Sequence, residues 1–439
     1  MNEPLDVFGQ NPRLSGLYTQ LCFAFALDNS DDACQNLIVE HLKGGLAELA
    51  QDVPWVSGQV ARDENGQARI VPLNDLPQVI VKDLSDELPS LDSYRRAHFP
   101  FSWLDEDIIA PCKTLPDETD APSPVFLLQI NFVAGGVLLV VNGQHNCMDI
   151  RGQSQIIDML SKSCRGEPIA TKDLAVVNGP RQSIIPLLTG EEDTAGNADP
   201  ANSQPTDDGE GEAIWAYFDF VSADLQRLKA LALGDITSEF VSTDDVLSAF
   251  IWQSFTRARS YRLDVGSTQS TFERQVDARG HLNIPRSYTG NVVCKTAVSM
   301  SISEILDSPC GAVASRLRRA IGSEADIGHQ TRKAATLLHE SLMKPKPSKP
   351  TVVSRPKVSS TDIKMSSWAK EDCYDYDFGG LLGKPVAVRR PNFPGWEGLA
   401  YTMPKSRDGE IAVALCLRRE DLEALKRDHL FCQYCELVS

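Results

Sequence analysis

Histidine is scarce, seven in 439 residues, and basic residues are outnumbered by acidic ones, 43 to 60. The net charge of −17 repels DNA, RNA and anionic membrane surfaces over the chain as a whole. No apolar run approaches the roughly 18 residues of a membrane span, so no membrane span is expected. The start, MNEPLDVFGQ, has no basic region followed by an apolar stretch, so no secretory signal is expected either. The final CELVS is neither a peroxisomal nor a prenylation signal. A cysteine framework is also missing. The eleven cysteines are scattered and read as reduced thiols of a cytoplasmic enzyme, mostly core filler. The one close pair, CQYC at 432–435, lacks the second half of a zinc site. Nucleic-acid binding, membrane residence and a disulfide scaffold are thereby disfavoured, and the composition is that of a soluble globular protein.

What is present fits a mixed α/β chain. A length of 439 residues exceeds one ordinary core, so two domains are expected. The stretch 189–213 holds eight acids, no base, and much Gly, Pro, Ser, Thr and Asn. Such a composition cannot bury enough apolar surface to order itself. It predicts a linker between an N-terminal domain, 1–188, and a C-terminal domain, 214–439. A second unusual stretch, 343–364, is rich in proline and carries six bases against one acid. It predicts an extended crossover suited to an anionic ligand, or a solvated loop.

Periodicity predicts a strand over LYTQLCFAFAL (17–27) and a helix over 33–53, with Leu37, Ile38, His41, Leu42, Leu46 and Leu49 on its apolar face. VFLLQINFV and VLLVVNGQH, joined by Ala134-Gly135-Gly136, predict a hairpin whose second strand is central and buried. A helix is predicted from Ser154. After the linker, a strand over 214–221 leads into a helix capped by Ser222. Another helix follows, capped by Ser242 or Thr243.

VNGQHNCMDIRGQ therefore lies where a buried strand ends and a helix begins, a usual place for functional side chains. It holds His145, Cys147 and Asp149. About one His-to-acid spacing of four is expected by chance in this composition, so the spacing alone decides nothing. Three chemistries are open. The trio could ligate a metal, though no further cluster completes a site. Cys147 could be a nucleophile beside His145, though no cysteine-hydrolase signature accompanies it. His145 could be a general base, with Asp149 either holding the imidazole or locking the turn through an arginine. A hydrogen-bonded core histidine is the structural alternative.

HNCMD resembles the HxxxD motif of the BAHD acyltransferases, the coenzyme-A-dependent group that includes the fungal trichothecene 3-O-acetyltransferases. DFGGLLGKP, at 377–385, resembles the DFGWGKP motif of the same family, and SSWAKEDCYDYDFG resembles the segment leading into it. VDAR (276–279) and YTGN (288–291) match weaker landmarks. LDVFGQNPRLSGLYTQLCFAF and YRRAHFPFSWLDEDIIAP resemble the fungal branch. These landmarks keep the family order from residue 5 to about 430. Departures are Ile150 where a glycine often follows the aspartate, and GGLL in place of the single Trp of the DFG motif.

The resemblance implies two chloramphenicol-acetyltransferase-like α/β domains with a central tunnel, entered by coenzyme A from one mouth and by the acceptor from the other. It implies an acyl-CoA:alcohol O-acyltransferase acting on a secondary metabolite, most simply with acetyl-CoA. His145 would be the base, no acyl-enzyme would form, and no metal would be needed. Asp149 would be structural and paired with Arg279. Asp377 and Gly379 would shape the tunnel wall, and Ser366 and Ser367 would contact coenzyme A. Amide formation on an amine acceptor, or a catalytically silent binder of the same fold, are the competing readings. A cytoplasmic monomer is expected.

Overall fold

The computed structural model describes residues 2–28, 31–73, 78–115, 123–189, 212–322, 325–344 and 361–438. The acidic stretch 189–213, apart from its ends, and the middle of the basic stretch 343–364 lie outside the described residues.

Two large sheets carry the architecture. The first has five strands in the order Ala387–Arg389, Tyr18–Ala26, Gly136–Gln144, Phe126–Val133 and Val79–Asp83. The run VLLVVNGQ is nearly all apolar because it is the middle strand, covered on both faces. Every residue of Gly136–Gln144 is buried. The hairpin that delivers it turns through Ala134 and Gly135, where φ is +77°, a region glycine enters without steric penalty. One face of this sheet packs Phe23, Phe25, Phe126, Leu128, Leu139 and Val141 against the helices Asp32–Asp52 and Ile150–Cys164. The other face packs Cys22, Ala24, Leu138 and Val140 under the segment from Leu84 to Ala110.

The second sheet has seven strands, ordered Val293–Ser301, Gln269–Asp277, Ile363–Ser367, Leu399–Thr402, Ile411–Arg418, Ala213–Phe220 and Glu436–Val438. Its main cover is the helix Thr243–Arg259, which a capping box between Ser242 and Asp245 starts. A third, four-stranded sheet joins Glu3–Pro4, Ala68–Pro72, Gly58–Arg62 and Ser123–Pro124.

The halves are not separate in space. Strand Ala387–Arg389 lies within 214–439 but pairs with Tyr18–Ala26 of the first sheet, Ala387 opposite Ala24. Phe378 is fully buried among N-terminal residues, its ring edge-on to Phe25 at 5.4 Å. A long aromatic side chain in such a slot is worth about 3–5 kcal/mol against alanine, so Phe378 fastens the DFG loop to the N-terminal sheet.

Three local expectations are corrected. Leu37 is 63% exposed, so the buried helix face is Ile38, Leu42, Leu46 and Leu49. Ser222 is the first helical residue, not the cap. The cap position is Val221, and the Ser222 hydroxyl accepts from Gln226 instead. The helix expected from Ser154 begins at Ile150, because Asp149 caps it and Gly152 sits inside its first turn.

Gly152 is required there. A Cβ at this position would come within 1.8 Å of the Thr289 carbonyl oxygen, and backbone cannot yield as a flexible side chain can. Gly152→Ala should lower stability by about 3 kcal/mol, the upper end of overpacking costs. Urea unfolding checks this, and a wild-type midpoint would contradict the packing described.

Candidate active site

His145 follows the last residue of the central strand. Its backbone N–H donates to Leu17 O at 2.8 Å, which carries the strand pairing one step past the sheet. The chain then turns, and both halves of the protein hold the turn. Asn146 N–H donates to Gln144 Oε1 at 2.7 Å, and Gln144 Nε2 donates back to Asn146 Oδ1 at 3.0 Å. Asn146 Nδ2 reaches Gly9 O at 2.6 Å. Arg181 Nη1 donates to Cys147 O at 2.7 Å. From the other half, Asn291 Nδ2 donates to the carbonyls of His145 and Asn146, at 2.8 and 3.1 Å. Such a closed set of bonds fixes where the imidazole can point.

The ring itself is half-buried. Nδ1 is enclosed and makes no hydrogen bond to another described residue. No hydrogen bond to a described residue engages Nε2. Burial pushes the His145 pKa below its ordinary value, since a charged ring is poorly solvated there. Its own backbone carbonyl, Asp149 and Asn291 act in the opposite direction, while Arg390 adds to the depression. The ring is therefore neutral at pH 7 and able to accept a proton at Nε2.

Asp149 faces away from this chemistry. It caps the helix Ile150–Cys164 through an Oδ1 bond to Gly152 N–H at 2.9 Å. Oδ1 also receives Arg279 Nη2 at 2.9 Å, and Oδ2 receives Val292 N–H at 3.0 Å. Arg279 is buried and further held by the carbonyls of Tyr288 and Gly290 and by Asp277. The carboxylate thus joins a helix start in one half to the VDAR and YTGN segments of the other. It makes no hydrogen bond to the imidazole.

Cys147 is fully buried, and burial pushes its thiol up to about 12. A thiol that stays protonated at neutral pH is a poor nucleophile and a poor metal ligand. No group of three or more metal-ligating side chains occurs among the described residues. Cys147→Ala should keep activity within a few fold, as a rate assay would show. Loss of activity in a folded variant would restore the nucleophile reading.

The DFG loop is set by its glycine. Asp377 Oδ1 accepts the Gly379 N–H at 2.8 Å, and Gly379 has φ +63°. A side chain there would also meet Arg165 Cγ at 2.7 Å. Arg165 in turn binds the Asp377 carbonyl, and His41 Nε2 lies 2.7 Å from Phe378 O. Asp377 and Gly379 therefore shape and fasten the loop. Ser366 and Ser367 end the strand Ile363–Ser367 and are half-buried. Ser366 accepts from Trp368 Nε1 at 3.0 Å. Ser367 donates to Asp244 at 2.8 Å and accepts from Thr402 at 2.8 Å.

Residues 17–164 match the family described as the trichothecene 3-O-acetyltransferase-like N-terminal domain. Over nearly the whole chain, similarity extends to named enzymes. The trichothecene 3-O-acetyltransferase TRI101 of Fusarium sporotrichioides is 40% identical, over 99% of this chain and 96% of its own. The chain belongs to the trichothecene 3-O-acetyltransferase family. The O-acetyltransferase dmxR13 of a Cryptosporiopsis species is also 40% identical, over 98% of this chain and 96% of its own. Among solved structures, F. graminearum TRI101 complexed with coenzyme A and T-2 mycotoxin superposes with a TM-score of 0.90 at 39% identity, covering all of both chains. Vinorine synthase shares the fold at a TM-score of 0.67 and 17% identity, over 99% of this chain and 94% of its own.

This trichothecene 3-O-acetyltransferase family member thus has the two-domain acyltransferase fold. It is an acyl-CoA-dependent O-acyltransferase, with acyl-CoA as co-substrate. No helix among its described residues is long and apolar enough to cross a membrane.

Proposed function

We propose that the protein moves an acetyl group from acetyl-CoA to a hydroxyl of a secondary metabolite, with His145 as general base. The carrying observation is an imidazole whose Nε2 makes no hydrogen bond to a described residue, on a turn locked from both halves, and burial lowers its pKa. Nε2 takes the hydroxyl proton as the oxygen attacks the thioester carbonyl carbon. The carbonyl π electrons move onto oxygen to give a tetrahedral intermediate. The C–S bond then breaks, and the leaving sulfur takes the proton back from the imidazolium. Ester and free coenzyme A leave, and no acyl-enzyme forms.

Asp149 and Arg279 act as a positioning pair, and Asp377 and Gly379 as the frame of the DFG loop. Ser366 and Ser367 are assigned to coenzyme A; the Ser366 O–H is given to no described residue and can donate to it, while the Ser367 O–H is held by Asp244 and would have to exchange partners. The working form is a cytoplasmic monomer, with 1–188 and 214–439 as its domains. The F. graminearum relative is complexed with deoxynivalenol in one of its structures, which makes that alcohol the first acceptor to try. Thiol release from acetyl-CoA that depends on deoxynivalenol or a related alcohol supports this reading. Transfer to amines but not alcohols overturns it.

The acid limb of kcat/KM should rise as His145 deprotonates. Because burial lowers its pKa, the limb belongs below the ordinary histidine value, and the rate should be flat above it. A limb above that value would contradict a desolvated base.

A further inference from the structure

Arg389 ends the short strand that crosses to the first sheet and Arg390 follows it, and the two differ in one respect. Arg389 faces a carboxylate, Asp219, at 3.4 Å. Arg390, only 3% exposed, makes no ion pair among the described residues. Its guanidinium is instead enclosed by aromatic faces, 4.2 Å from Phe393, 4.6 Å from Tyr401 and 5.4 Å from Trp368. Among the described residues Nη2 reaches only Thr114 Oγ1, at 3.5 Å, and Nε is enclosed with no hydrogen-bond partner. No hydrogen bond to a described residue engages Nη1. Glu106 feels the charge but receives the Thr114 N–H at 2.7 Å.

A buried cation without a counter-ion is costly, and aromatic quadrupoles offset only part of that cost. Such a charge is useful where negative charge appears transiently. Register runs the chain after Arg389 toward the end of the sheet that carries His145. Arg389 lies opposite Cys22, and the same strand pairs Tyr18 with Gln144, the residue before His145. Cys22 and Tyr18 are four residues apart, roughly 13 Å along the strand, with two strand spacings, roughly 10 Å, to the side, and the charge of Arg390 still acts on the His145 ring.

We propose that Arg390 is a further catalytic residue, whose Nη1 hydrogen-bonds the thioester oxygen as that oxygen becomes the oxyanion of the tetrahedral intermediate. The proposal rests on the acetyl-transfer reading above. Its second consequence concerns His145. The charged groups that act on the ring are Asp149, already neutralised by Arg279, and Arg390. Asn291 and the Leu17 carbonyl, which hold the backbone, are neutral. Arg390 therefore opposes protonation of the ring in the free enzyme, and its removal should let the imidazole protonate more readily.

Arg390→Met keeps the volume and the aromatic contacts but removes the charge, while Arg390→Lys keeps the charge. With acetyl-CoA and deoxynivalenol, Arg390→Met should lose about 10²-fold in kcat, the usual loss for one oxyanion donor, with both KM values within about two-fold. Arg390→Lys should recover part of that loss. The acid limb should move to higher pH in Arg390→Met and not in Arg390→Lys. Histidine-labelled NMR titration of His145 reads the same shift without any acceptor, so it still decides the matter if deoxynivalenol is no substrate. A raised KM with intact kcat would make Arg390 a substrate-holding residue and overturn the proposal. An unmoved His145 titration in folded Arg390→Met would overturn it as well.

Discussion

Alanine at position 145 should slow acetyl transfer by about 10²–10⁴-fold, the range for loss of a positioned general base, while the protein stays folded. The second part follows from the geometry. The turn is held through backbone and amide groups of Gln144, Asn146, Cys147 and Asn291 and through the Arg181 guanidinium. None of these bonds uses the imidazole. The enclosed Nδ1 leaves no other described residue unsatisfied when it is removed. Binding of acetyl-CoA should therefore survive in His145→Ala, and the loss should fall on kcat. Parallel loss of thermal stability would mean that the ring supports the fold.

Removing Asp149 should do the reverse. Asp149→Ala deletes a helix cap and three hydrogen bonds, and takes from buried Arg279 its partner across the two halves. Breaking a buried ion pair from one side costs about 3–5 kcal/mol, because the remaining charge stays desolvated. Asp277 also pairs with Arg279 but is half-exposed, so it compensates only in part. Asp149→Asn keeps an acceptor for Gly152 and loses the charge, so its destabilisation should be smaller and still measurable. Activity should fall in both, since a shift near 1 Å in His145 can cost about 10²-fold. An Asp149→Asn enzyme of native stability, altered only in its pH–rate profile, would mean that Asp149 works through the imidazole.

The turn was legible in the sequence because its information is local. A buried strand, a polar turn and a helix lie within 29 residues, Gly136 to Cys164, and HNCMD sits at their junction. The distant DFGGLLGKP converted a chance-level spacing into a family motif. Asn291 and Arg181, which hold the turn, carried no such signal. An amide or guanidinium bonded to a carbonyl more than thirty residues away leaves no periodicity, although Asn291 ends the YTGN landmark. Strand Ala387–Arg389 escaped for a related reason. Three residues are too few to show alternation, and their partner strand lies at the other end of the chain. Nothing in the sequence distinguishes Arg390, beside it, from other arginines; its burial and its lack of an ion pair among the described residues do. The helix start was misjudged because glycine at 152 reads as a breaker, whereas a carbonyl packed against it leaves room for nothing else.

The central claim is that one acetyl group passes directly from the thioester to an alcohol. Product stoichiometry after mixing enzyme, acetyl-CoA and deoxynivalenol tests it most directly, with thiol, acetyl ester and protein mass followed together. The account predicts one ester per thiol released, no acetylated protein at any time, and neither product from His145→Ala above its residual rate. Thiol without ester, or an acetyl group on the protein that chases into product, would contradict it.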